Sequence, residues 1–165
     1  MWKLALLAIA GCYVDVRPGL SAPAGHDHGG AGTDLGVAFG GEHADETFRV
    51  GGGIATGVRI ANSNGYVPIG VDGHLATLLA PGQPWLFVAH ASVGYARGLS
   101  NGPSGIINSA FAGIGFGRTL EQDGSTLPRG HIAIGPTATW YRADSGNSYW
   151  IVGAALELSV GFAHR

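Results

Sequence analysis

Between residues 148 and 162 the even positions are Trp150, Val152, Ala154, Leu156, Leu158, Val160 and Phe162, while the odd ones are Tyr149, Ile151, Gly153, Ala155, Glu157, Ser159 and Gly161. A period of two places successive side chains on opposite faces of a β-strand. One face is bulky and apolar throughout; the other is mostly small and carries one carboxylate. The same contrast recurs upstream. Residues 34–41 set Leu35, Val37 and Phe39 on one face, and 47–61 set Phe48, Val50, Ile54, Val58 and Ile60 against Arg49, the glycines and Arg59. In 67–79 Val67, Ile69, Val71 and Leu75 oppose Gly70, Asp72, His74 and Ala76, and in 85–97 Trp85, Phe87, Val93 and Tyr95 oppose Val88, His90, Ser92 and Gly94. Segment 131–142 sets Ile132, Ile134 and Trp140 against His131, Gly135, Thr137 and Thr139. Alternation is least clean in 106–119, where Ile107 and Phe111 fall opposite Ile114 and Phe116.

Turn chemistry separates these runs: Asn62-Ser63-Asn64-Gly65, Pro81-Gly82-Gln83-Pro84, residues 98–105, a longer stretch at 121–130 and Asp144-Ser145-Gly146-Asn147. Seven strands are clear, and the brief alternation at 13–17 supplies a possible eighth. Residues 18–33, with Pro18, Pro23 and several glycines, read as linker or loop. Pro136, inside a strand, removes a ladder donor and points to a bulge. Sequential strands joined by short turns predict an all-β chain, an antiparallel up-and-down meander closed as a small barrel of about eight strands. The expected organisation is a signal segment at 1–11, a linker with a possible first strand at 12–33, and a barrel domain at 34–165.

Composition decides which face points outward. Thirty of the 165 residues are glycine and only 12% are charged. An eight-stranded barrel has an interior just wide enough for its side chains, so the face of Gly, Ala and Ser fits inside. The Trp, Phe, Leu and Ile face then points out, a poor surface for water and a good one for lipid. A formal net charge of −2, with Lys3 the only lysine, argues against a nucleic-acid partner; membrane lipid is the partner expected, and protein partners are not legible. No cofactor is expected.

At the start, Met1-Trp2-Lys3, the apolar run from Leu4 and Ile9-Ala10-Gly11-Cys12 resemble a bacterial lipoprotein signal. The resemblance implies that Cys12, the single cysteine, bears the lipid and begins the mature chain. Residues 34–162, with aromatics near strand ends (Phe48, Trp85, Tyr95, Trp140, Trp150) and a last strand closing on Phe162, resemble the small outer-membrane β-barrels of Gram-negative bacteria. This implies an outer-membrane protein, lipid-anchored through Cys12 if the signal is processed.

Candidate chemistry lies on the small-residue face. Arg49, Arg59, Asp72, His74, His90 and Glu157 are expected to pair inside the lumen, since an isolated buried ion is costly. His90, Ser92 and Glu157 supply the residue types of a hydrolytic triad, and His-x-Ser on a strand resembles outer-membrane lipid A deacylases, whose Asn after the Ser is Val93 here. His26, Asp27 and His28 offer metal-ligand types within a Gly-rich loop. The reading that follows is a non-enzymatic outer-membrane barrel with a structural or surface role and an occluded polar lumen. Two alternatives are a lipid-anchored soluble periplasmic barrel binding an apolar ligand inside, and a lipid A-modifying hydrolase.

Overall fold

The computed structural model describes residues 11–24, 30–44, 48–61, 64–80, 83–100, 102–117 and 129–163. Eight strands follow one another: β1 (Gly11–Pro23), β2 (Gly32–Ala44), β3 (Phe48–Ala61), β4 (Asn64–Leu78), β5 (Trp85–Ser100), β6 (Gly105–Gly117), β7 (Arg129–Ala143) and β8 (Ser148–Ala163). Each pairs antiparallel with the next, and β1 pairs with β8, from Gly11↔Ala163 to Pro23↔Ile151, closing the barrel. The meander and its closure are those the alternation predicts. The eighth strand exists and is longer than expected: the stretch after Arg17 taken as linker continues as strand to Pro23. Its prolines and glycines have weak strand propensity, and the ladders to β2 and β8 on either side supply the order that local sequence does not.

Pro136 is not at a bulge. The β6–β7 pairs Ala112–Pro136 and Gly113–Gly135 drop out of the ladder, yet the register is the same on both sides, Phe111↔Thr137 and Ile114↔Ile134. The pairing of Pro136 with Ala154 of β8 is also in register. Similar gaps with unchanged register occur beside Pro18 in the β1–β8 ladder and Pro68 in the β3–β4 ladder. A closed ring fixes each strand from two sides, so a missing donor interrupts the ladder locally without slipping it.

The bulky face is outside. Ile134 (66% exposed), Ile69 (62%), Ile114 (57%), Ile54 (47%) and Val93 (49%) belong to an apolar band that runs round the wall. At the end holding Gly11 and Ala163, here the lower end, Trp85 packs edge-on against Phe116 with ring centroids 5.7 Å apart; Phe87 follows on the same face of β5, and Phe162 lies at this end of β8. Tyr95 and the cross-strand pair Trp140↔Trp150 lie toward the upper end. This orientation places most of the bulky apolar side chains outside the lumen.

Inside, glycine permits close strand approach. A Cβ on Gly40 would sit 2.5 Å from the Gly53 Cα across the β2–β3 pair. Ile107 and Phe111, the irregular residues of β6, point inward. Ile107 joins Tyr66, Ala96, Tyr141 and Ile151 in an upper apolar cluster, and Phe111 joins Ala76, Leu86, Val88 and Ala133 in a lower one.

Candidate functional site: a buried ionic network in the lumen

All six residues expected in the lumen are there and buried: Arg49, Arg59, Asp72, His74, His90 and Glu157. They sit at every second position of β3, β4, β5 and β8, so strand alternation alone aims them inward. They do not form a single group. Arg59 stands apart near the upper end, where its Nε donates to Ser21 Oγ at 3.0 Å and lies 3.6 Å from Asp34.

The other five join residues from β1, β2 and β7 in a continuous network in the lower half. Arg17 donates to Asp72 Oδ1 at 3.1 Å, and Asp72 Oδ2 lies 3.2 Å from His90 Nδ1. His90 Nε2 is 2.8 Å from Glu157 Oε2, in an alignment that leaves both atoms short of a good hydrogen bond. The other Glu157 oxygen accepts from His131 Nε2 at 2.6 Å. Arg49 Nη2 donates to His131 Nδ1, which leaves Nε2 as the ring nitrogen that donates toward Glu157. From there the chain runs through Arg49 Nη1 to Glu42 (3.8 Å) and on to His74 Nε2 (3.4 Å). Asp15, 1% exposed, lies 3.8 Å from His90 Nε2. Buried charges in a low-dielectric interior persist only when compensated, and this chain of contacts compensates most of them.

Asp15, Arg17, Glu42 and His131 were missed as members. Two of them sit in the short run at 13–17, where equal parity of Asp15 and Arg17 was the available signal. Glu42 lies one residue beyond the expected end of its strand. His131 shares the inward parity of Thr137 and Thr139, which marked its face without showing its partners.

Above the network is a cavity of about 150 Å³ bordered by Arg17, Arg59, Tyr66, Ser92, Phe111 and Thr139. Tyr141 stacks on Tyr149 nearby (5.2 Å) and donates to the Pro103 carbonyl at 2.6 Å, which ties the upper barrel wall to the β5–β6 connection.

Of the three residues with triad chemistry, His90 and Glu157 meet and Ser92 lines the cavity two residues further along β5. A catalytic imidazole needs one nitrogen toward the hydroxyl and the other toward the acid. Both His90 nitrogens face carboxylates. His26, Asp27 and His28 lie outside the described residues. A separate group with metal-ligand chemistry does occur: one donor atom each from Asp15, Asp72 and His74 lie within 4.8 Å of one another. Cys12 is exposed on the outer face of β1, paired with Gly41 and Phe162.

Two solved structures share this architecture. Neisserial surface protein A superposes with a TM-score of 0.57 at 9% identity, covering 93% of this chain and 96% of that one. The outer-membrane enzyme PagL superposes with a TM-score of 0.55 at 12% identity, covering 88% and 98%. At such identities the likeness is one of fold: an eight-stranded antiparallel barrel along nearly the whole of both chains. No protein-family model and no curated protein matches the sequence.

Proposed function

We propose that this chain is an outer-membrane β-barrel with a structural or surface role and an occluded lumen. The observation that carries this is the surface itself. Exposed Ile, Val, Leu, Phe and Trp side chains surround the barrel, with aromatic rings toward both edges, while the buried charged side chains point inward. Strands of 13–16 residues, tilted by about 40°, give a wall on the order of 35 Å high, enough for the ~25 Å apolar band of an outer membrane. In water such a surface would promote aggregation; against lipid it is stabilising. The names of the two structural neighbours, a surface protein and an outer-membrane enzyme, agree with this location.

The polar lumen gives the same reading from inside. A polar network that fills the lower lumen, flanked by Leu86, Val88 and Phe111, braces the wall and blocks flow through it. Lipidation of Cys12 is part of the proposal: the thiol is outward and near the lower rim, where an acyl chain would enter the same lipid as the apolar band.

The test is fractionation of cells expressing the full-length protein, followed by gel electrophoresis with and without heating. A faster unheated band in the outer-membrane fraction is expected, together with a lipid-sized mass increment that Cys12→Ala abolishes. A soluble protein whose mobility does not respond to heat would refute the membrane reading. An outer-membrane barrel of unmodified mass would refute lipidation alone.

A further inference from the structure

We propose that the lower lumen is a binding site for one first-row divalent transition-metal ion of the zinc type, held by Asp15 of β1 and by Asp72 and His74 of β4. Asp72 and His74 are two residues apart on one strand and therefore share a face, while Asp15 faces them across the lumen. The three are 1%, 5% and 6% exposed, and their donor atoms lie within 4.8 Å of one another. Donors on one such ion sit roughly 3–4 Å apart, so side-chain rotations that move the donor atoms by about 1 Å would close the site.

Unused hydrogen-bonding capacity at this spot points to a ligand. Neither carboxylate oxygen of Asp15 makes a well-formed hydrogen bond, its polar neighbours being Ser159 on the paired strand and His90 Nε2 at 3.8 Å, and His74 Nδ1 has no partner. The Tyr13 hydroxyl, on a side chain 1% exposed, also has none; its ring packs edge-on against His74 at 4.1 Å, within electrostatic reach of Asp72 and Asp15. Buried polar atoms normally find partners, and four under-satisfied atoms around one point are what an ion with a bound water would satisfy. Tyr13 would donate to that water.

The outer contacts match how metal ligands are usually held. His74 Nε2 lies 3.4 Å from Glu42 while Nδ1 has no partner, so a small ring rotation would give the usual carboxylate–imidazole–metal order with Nδ1 as the ligand atom. Asp72 is oriented by Arg17 on one oxygen and His90 on the other. One imidazole with two carboxylates is a borderline donor set, suited to zinc and its neighbours. Bound there, the ion would link β1 to β4 through the interior, two strands that are not neighbours in the wall. This goes beyond the expectation of no cofactor.

The test refolds full-length protein in detergent with Zn²⁺, because Arg17 stands between the cavity and Asp72, then removes free metal and measures zinc by mass spectrometry. About one ion per chain is expected. Asp15→Asn and His74→Ala should each retain less than about a tenth of it, with Thr139→Ala unchanged. Heat-dependent gel mobility shows which variants are folded. Loss of zinc in a His26→Ala/His28→Ala variant with retention in Asp15→Asn would overturn the proposal. So would wild-type barrel that binds no zinc. Should the lumen variants fail to fold, anomalous scattering at the zinc edge from wild-type crystals decides: a peak between Asp15, Asp72 and His74 supports the site, and a peak elsewhere or none refutes it.

Discussion

Replacing Glu157 by Gln tests whether the lumen network braces the barrel. Glu157 is 0% exposed and sits between two imidazoles, with Oε1 2.6 Å from His131 Nε2 and Oε2 2.8 Å from His90 Nε2. Gln keeps the shape and one acceptor but removes the charge, and it turns an amide N–H₂ toward one of the two rings. Removing one charge from a buried ionic network typically costs about 3–5 kcal/mol, because the groups that faced it, here His90 directly and Arg49 through His131, stay buried with less compensation. The retained acceptor places Glu157→Gln near the lower figure, about 3 kcal/mol. With a urea slope of about 2 kcal/mol/M, the unfolding midpoint should fall by roughly 1.5 M. Tryptophan fluorescence in detergent micelles follows the transition, since Trp85 and Trp150 are exposed on the outer wall. The double variant Glu157→Gln/His90→Gln should be less destabilised than the sum of the singles, by roughly 1–3 kcal/mol. A Glu157→Gln midpoint within about 0.2 M of wild type, or strictly additive singles, would refute the bracing argument.

Other predictions concern the wall and the cavity. Ile134→Arg, on a residue 66% exposed, should cost about 2–4 kcal/mol when folding into lipid vesicles if that position is near midplane, and unchanged folding yield would contradict the lipid-facing assignment. Gly40→Val should abolish the heat-modifiable band, because even its Cβ would lie 2.5 Å from the Gly53 Cα of the paired strand. Gly146→Ala, at φ 95° in an open turn, should cost only about 1–2 kcal/mol and leave the barrel folded, as urea titration would show. Phe111→Ala, on a side chain 4% exposed beside the cavity and 6.0 Å from the His90 ring, should destabilise by about 3–5 kcal/mol and enlarge the cavity toward the network. Planar-bilayer recording should still show a closed channel, because the ion pairs below Phe111 remain.

Alternation by itself determined most of the fold and the orientation of its faces. It placed Trp150 and Leu156 outside and Glu157 inside β8, and it put all six expected polar residues into the lumen, because a strand's period is set by local backbone geometry. What local geometry lacks is a partner. Which inward residues meet depends on register and on closure of the ring, both long-range properties. Thus His90 meets Glu157 from three strands away, and Arg59 shares inward parity with Arg49 yet belongs to a separate upper cluster. Closure also made a complete strand of β1, whose Pro18, Gly19 and Pro23 conceal it from any propensity argument, and kept register across Pro136 without a bulge. The gathering of Asp15, Asp72 and His74 at one point was decided there too: only the closed barrel brings β1 and β4 face to face across its interior.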